Sequence, residues 1–174
     1  MAATNVAAVL TEEAMKRLGI VIARLAKSSP KARYSVDALP GTIEKRVFIG
    51  GNYALMPVLR EIEKIVGDFG FQSIIAYDFE IPLEKTREYT LRLLYQCKFA
   101  IFEETLSNGH LVEIARTSGF TEIQMLQVYM AMDERKETPK TMSIMLWQSK
   151  PSPQGYTTIQ ELHEIVETFL SRYG

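Results

Sequence analysis

The chain has 174 residues, of which 47% are hydrophobic and 24% charged, and its formal net charge at pH 7 is -1. This length and composition predict a single folded domain with a full core and exclude a disordered chain. No stretch concentrates lysine and arginine, which argues against nucleic acid as a partner.

The composition also predicts a soluble, cytoplasmic protein. Cys97 is the single cysteine, so the chain cannot form an intramolecular disulfide, and with two histidines we expect no metal site. Residues 1–10 are apolar but lack a preceding basic segment, so we expect no secretion signal. No run of about 18 uncharged apolar residues is present, which excludes a membrane-spanning helix.

The first 45 residues predict an appended helix followed by a linker. Thr11 precedes two acidic residues, a pattern typical of a helix start, and the helix is expected to reach about Ala26. Its apolar residues recur at helical spacing, at Met15, Leu18, Ile22 and Leu25. Residues 28–41 contain two prolines and no steady period, so the main α/β domain is expected to occupy residues 46–174.

From Arg46 onward, strand and helix patterns alternate. Short apolar runs predict five strands, at residues 47–49, 73–77, 99–102, 125–132 and 142–147, although the fourth run also fits a helix. Helices are predicted from the apolar face of Leu55, Leu59, Ile62 and Val66, over residues 84–96 with Leu91, Leu94 and Tyr95 inward, and from about Gly109. Pro151, Pro153 and Gly155 predict a loop, after which Thr158 and Glu161 form a capping box for a final helix.

This alternation predicts a parallel sheet covered by helices on both faces, because strands joined by helices form right-handed crossovers. We expect a flavodoxin-like three-layer sandwich with the strand order 2-1-3-4-5. Ligands of such sheets bind beyond the carboxyl ends of the strands, where the order switches. The candidate segments are therefore residues 50–53, 78–80 and 103–109.

The first candidate segment is Gly50-Gly51-Asn52-Tyr53. Its glycines would allow the backbone to approach a phosphate or a sugar closely, and we expect Asn52 or Tyr53 to contact a nucleotide. The chain has no G-x-G-x-x-G motif and no Walker lysine, so a standard dinucleotide fold and a P-loop are not supported. The alternative interpretation is a tight turn between strand and helix.

The predicted third strand leads into the run SNGHLVE, residues 107–113. If Asn108 caps the next helix, Glu113 lies in its second turn and can face the strand ends. A carboxylate there would stabilise positive charge on a ribosyl ring or attack the anomeric carbon. The alternative is that Glu113 is a solvated residue on the helix surface.

Two short patterns resemble known families. The run VFIGG at residues 47–51 and the Gly-x-x-x-Glu spacing of Gly109 to Glu113, followed by Ile114, resemble the nucleoside 2-deoxyribosyltransferase family. The spacing of Ser107 and Glu113 also resembles the Ser-(x)5-Glu pattern of TIR domains. The resemblance covers roughly residues 46–147. It implies a flavodoxin-like core and a catalytic glutamate, Glu113, that acts on an N-ribosyl bond.

The departures from these families indicate the substrate. The ribosyltransferases carry an aspartate where this chain has Ser107, and that aspartate helps protonate the departing base. Nicotinamide leaves NAD as a neutral molecule without such help, so Ser107 favours NAD or a related nucleotide as the substrate, with no separate cofactor. Gly109 and His110 replace the Trp-Cys pair of TIR domains. His110 is either a substitute acid or a helix cap.

The remaining candidates follow the strand ends. Glu103 and Glu104 either hold ribose hydroxyls or are solvated, Asp78 is placed where an acid commonly meets a ribose, and Ser107 and Asn108 would orient the ribose. Cys97 is interpreted as an inert core thiol.

Two functions remain open. One is hydrolysis or transfer at an N-glycosidic bond, and the other is a non-catalytic nucleotide sensor or TIR-like interaction module. A homo-oligomer is expected, and the apolar stripe of the N-terminal helix must be buried, either against the core domain or between copies of the chain.

Overall fold

The computed structural model describes residues 35–106, 122–131 and 152–173. Five parallel strands form one sheet in the order β2-β1-β3-β4-β5. These strands are β1 (Arg46–Gly51), β2 (Gln72–Ile74), β3 (Phe99–Glu103), β4 (Gln124–Met130) and β5 (Gln154–Tyr156). The predicted α/β class and strand order are confirmed.

The described residues contain three α-helices, which cover both faces of the sheet. They are α1 (Met56–Asp68), α2 (Thr86–Leu94) and α3 (Ile159–Tyr173). Buried side chains of α1 and α3 pack in one cluster with Val47, Ile49 and Ile101, whereas those of α2 pack with Phe48 and Phe102 in the other. Alternate residues of β1 and β3 thus face opposite helix layers, as the period of a strand requires.

Helix α1 forms as its apolar spacing predicts. Leu59, Ile62 and Val66 are fully buried, and Pro57 lies in the first turn, where its missing N–H costs no intrahelical hydrogen bond. The helix ends at Asp68, and Gly70 follows with a φ of 75°, a conformation that favours glycine. Together these features fix the connection from β1 to β2.

The β2 and α2 segments differ from the prediction at their ends. The strand stops at Ile74, and Ala76–Asp78 forms a 3-10 turn. Helix α2 stops at Leu94, so Tyr95, which was predicted to face inward, is 38% exposed. The buried residues of the helix are Thr90, Leu93 and Leu94, whereas Leu91, four positions before Tyr95, is half-buried.

The last strand of the sheet differs from the prediction. β4 is a strand rather than a helix, as favoured, but β5 is formed by Gln154–Tyr156, within the segment that was predicted as a loop. A three-residue edge strand is too short to show a period, and here it is stabilised by its pairing with β4. The predicted strand at residues 142–147 lies outside the described residues.

The capping box of α3 forms in modified form. The backbone N–H of Glu161 donates to Thr158 Oγ1 at 3.1 Å, as predicted. The Glu161 carboxylate, however, accepts from the N–H and hydroxyl of Thr157 rather than from Thr158. Both contacts stabilise the start of α3, which packs against β4 and β5.

The described end of the predicted linker packs on the α/β core. Val36 is buried in the cluster that contains α2. The Arg46 guanidinium, at the start of β1, donates to the carbonyls of Leu39, Pro40 and Gly41. The predicted N-terminal helix lies outside the described residues, and none of the described helices is long and apolar enough to cross a membrane.

Candidate functional site

The carboxyl ends of β1 and β3 lie side by side at the switch in strand order. The chain leaves β1 through α1 to reach β2 on one side, and it returns through α2 on the opposite face to β3 on the other side. Gly51 pairs with Glu103 at this edge. Since ligands of open α/β sheets bind at such a switch, the predicted segment 50–53 and the described residues 103–106 of the predicted segment 103–109 lie at the expected place.

The glycines of the first segment belong to the strand rather than to a turn after it. A Cβ atom on Gly50 would lie 2.6 Å from the Phe102 ring, and one on Gly51 would lie 2.9 Å from Leu59 and 3.2 Å from the carbonyl oxygen of Glu103. The distances of 2.6 and 2.9 Å are too short for a Cβ atom unless the neighbouring side chain shifts, and the distance of 3.2 Å is unusually tight. The two glycines therefore allow close packing at the strand end, and contact with a ligand stays a prediction.

Asn52 and Tyr53 shape the end of β1. The Asn52 side chain accepts a hydrogen bond of 2.9 Å from the Ala54 N–H and so begins a 3-10 turn, Tyr53–Leu55. Tyr53 is 48% exposed and contacts Tyr77, which follows β2 and is 40% exposed. The ring centroids lie 5.3 Å apart at an interplanar angle of 61°. An exposed aromatic pair thus stands at the carboxyl edge.

Asp78 is buried beside α1 in an ion pair with Arg60. Its two carboxylate oxygens accept hydrogen bonds of 2.6 and 2.5 Å from the two terminal nitrogens of Arg60, which also reaches Glu63 at 3.1 Å. The hydrogen bond from Arg60 to Asp78 raises the pKa of the guanidinium above its ordinary value. Asp78 is only 5% exposed and both its oxygens accept from Arg60, and its contact with a ribose stays a prediction.

Glu103 and Glu104 are both fully buried at the end of the central strand β3. The alternative interpretation, a solvated acidic pair, is wrong because neither residue has exposed surface. Glu103 is the last residue of β3, and Glu104 follows the strand and donates its backbone N–H to the Val128 carbonyl at 2.8 Å.

Hydrogen bonds from three segments hold Glu103 and its neighbour Thr105. Glu103 Oε1 accepts from the hydroxyls of Thr105 and Tyr156, the latter at 3.1 Å, and Oε2 accepts from the Thr105 N–H at 3.2 Å. Thr105 Oγ1 in turn accepts from the Met130 N–H at 2.7 Å. This network joins the carboxyl ends of β3, β4 and β5.

Burial and the network act in opposite directions on the pKa of Glu103. Burial raises the pKa of Glu103 to about 7, although the hydrogen bonds from Thr105 and Tyr156 oppose the shift, and the charge of Glu104 adds to it. Burial and the charge of Glu103 raise the pKa of Tyr156 above its ordinary value. A carboxyl of this kind exchanges its proton near neutral pH, which is a property of many catalytic groups.

Tyr156 was missed by the sequence analysis. It is fully buried on β5, and its segment carries two prolines and a glycine within a few residues, which predicted a loop. The one available signal was the aromatic side chain itself, since a buried tyrosine usually has its hydroxyl hydrogen-bonded.

Five predicted residues lie outside the described part of the chain: Ser107, Asn108, Gly109, His110 and Glu113. The first described range ends at Leu106, three residues after Glu103, and in the sequence these five residues follow it. Among the described residues, no group of three or more His, Cys, Asp or Glu side chains is arranged to hold a metal ion.

Comparison with known proteins does not assign a family. No protein-family model matches this sequence, and no curated protein matches it. The function must therefore be argued from the residues at the carboxyl edge of the sheet.

Proposed function

We propose that this protein binds NAD or a related nucleotide or nucleoside at the carboxyl edge of its sheet and hydrolyses or transfers its N-glycosidic bond. The observation that carries the proposal is the position of two fully buried carboxyls, Glu103 and Glu104, at the switch in strand order. Burying a carboxyl costs folding free energy, so such groups at a ligand-binding edge are typical of a functional site.

The chemistry of the bond fits an acidic site. Its cleavage places positive charge on the ribosyl ring, which a carboxylate stabilises, and the departing base accepts a proton unless it leaves neutral, as nicotinamide does. Glu113 is the proposed nucleophile or cation stabiliser, with Ser107 to orient the ribose. Glu103, with a pKa of about 7, is a group that holds a proton near this edge, and it accepts a hydrogen bond from the hydroxyl of Thr105, a half-buried residue.

A second candidate is nucleotide sensing without catalysis. It is favoured by the partners of Asp78 and Glu103, because Arg60 occupies both oxygens of the first carboxylate and the hydroxyls of Thr105 and Tyr156 bind the second. Carboxylates held in this way contribute to a rigid binding edge. A TIR-like interaction module would use the same edge to bind a nucleotide and then associate with a second copy.

One experiment separates the two candidates. The protein is incubated with NAD and with a panel of nucleosides, and free nicotinamide or free base is measured by chromatography, in parallel with thermal melting. Turnover that falls on the order of 10²-fold or more in Glu113→Gln supports the enzyme with Glu113 in its site.

The other outcomes are equally informative. A ligand-dependent rise in melting temperature without turnover supports the sensor. Full activity of Glu113→Gln would place the catalytic centre elsewhere, and neither turnover nor a thermal shift at millimolar ligand would overturn both candidates.

A further inference from the structure

We propose that Tyr53 and Tyr77 form an aromatic platform that stacks against the planar ring of the bound nucleotide, either its base or a nicotinamide. This inference rests on the proposed function and names the part of the ligand that this edge recognises.

The two tyrosines come from adjacent strand ends. Tyr53 follows β1 and Tyr77 follows β2, which pairs with β1 in parallel, so both lie at the carboxyl edge. Their rings are in contact at 5.3 Å, yet the residues remain 48% and 40% exposed. Because the two rings meet at 61°, a planar ring can stack on the face of one tyrosine and contact the other along its edge.

The backbone under each ring is fixed by a polar contact. The Asn52 side chain holds the turn that begins with Tyr53 through the Ala54 N–H. The turn that contains Tyr77 ends at Asp78, and the Asp78 carboxylate is bound at two points by Arg60 of α1. Because both turns are anchored and the rings contact each other, a ligand needs to order less of this surface on binding.

The engagement of Asp78 also distinguishes a ring from a sugar as the group recognised here. An acid at the end of the second strand commonly accepts hydrogen bonds from ribose hydroxyls. In this chain the buried Asp78 carboxylate accepts hydrogen bonds from Arg60, and the neighbouring Tyr77 is the exposed side chain. The β2 end therefore offers an aromatic surface, while Asp78 acts as a positioning residue.

The test is a set of binding measurements by calorimetry with AMP, NAD and ribose 5-phosphate. Tyr53→Ala and Tyr77→Ala are each expected to weaken AMP and NAD binding roughly 5- to 150-fold, the range of base stacking on an aromatic side chain. Tyr53→Phe and Tyr77→Phe should keep the wild-type Kd, because the ring remains. Tyr95→Ala, which removes a tyrosine of similar exposure at the end of α2, is the control and should also bind normally.

Ribose 5-phosphate separates stacking from sugar and phosphate recognition. It lacks the ring, so it should bind more weakly than AMP and should be insensitive to both alanine substitutions. The platform is overturned if the alanine variants, with unchanged far-ultraviolet circular dichroism, bind AMP as the wild type does, or if ribose 5-phosphate binds as tightly as AMP. Binding without glycosidic cleavage would overturn the proposed reaction but leave the platform supported, whereas a wild type that binds none of the three ligands would overturn both.

Discussion

Tyr156 on the edge strand β5 donates a hydrogen bond of 3.1 Å to Glu103 at the end of β3, across the intervening strand β4. Both residues are fully buried. A buried carboxyl is costly unless it is protonated or hydrogen-bonded, and this contact provides a hydrogen bond from a strand that does not pair with β3. This hydrogen bond thus links β5 to β3 at the carboxyl edge of the sheet through an ionisable side chain.

Stability should fall as the pH rises through the range in which Glu103 ionises. Its pKa is raised from 4.5 to about 7 in the folded protein, so the folded state binds this proton more tightly than the unfolded state. The stabilisation that this proton gives the folded state is fully present below about pH 4.5 and is lost between about pH 4.5 and 7. It amounts to about 3 kcal/mol of unfolding free energy at most. Urea unfolding of the wild type and of Glu103→Gln at pH 5 and pH 8 measures it. A difference between the two proteins that does not change with pH would contradict this prediction.

Tyr156→Phe should raise the pKa of Glu103 further, because the hydrogen bond from Tyr156 lowers it. The ring and its packing are retained, so the loss of unfolding free energy at pH 8 should be about 1 to 3 kcal/mol, as expected for a hydrogen bond to a charged group. The midpoint of the pH-dependent loss of stability should move to higher pH. Tyr95→Phe is the matched control at an exposed tyrosine, and an equal effect in both variants would speak against the hydrogen bond.

The Arg60 and Asp78 pair should contribute measurably to stability, unlike a surface pair. Asp78→Asn removes one charge from a bidentate, mostly buried contact, and we expect a loss of about 1 to 3 kcal/mol of unfolding free energy. Asp37→Asn is the control, because the side chains of Arg92 and Asp37 are 53% and 75% exposed and such pairs contribute about 1 kcal/mol or less. Similar losses in the two variants would show that the buried geometry has no particular effect.

Gly50→Ala should destabilise the fold although the backbone at Gly50 is an ordinary strand. The new Cβ would lie 2.6 Å from the Phe102 ring, so the ring must shift within the core, which typically costs about 1 to 3 kcal/mol. Gly67→Ala in α1 is the control, since no atom lies within 4 Å of its Cβ position and alanine favours a helix by up to about 1 kcal/mol. Thermal melting should therefore move in opposite directions for the two variants, and a stable Gly50→Ala would contradict the packing argument.

The sequence by itself determined the elements whose signal is local. The spacing of Leu59, Ile62 and Val66 predicts α1 because the helical period repeats within a few residues, and the alternation of strands with helices predicts a parallel sheet because crossovers have one hand. From that order, the strand-end rule selects residues 50–53, 78–80 and 103–109 as the candidate segments.

Tertiary structure decided the contacts between residues that are distant in the chain. Nothing local predicts that Gln154–Tyr156 becomes a strand, since pairing with β4 stabilises it, nor that Tyr156 reaches Glu103, 53 positions earlier. Likewise, an acid after the second strand is common, so the position of Asp78 is a local signal. Its ion pair with Arg60, however, depends on the packing of α1. Local patterns fix periodicity and turn chemistry, whereas the partner of a buried polar group depends on which elements the core brings together.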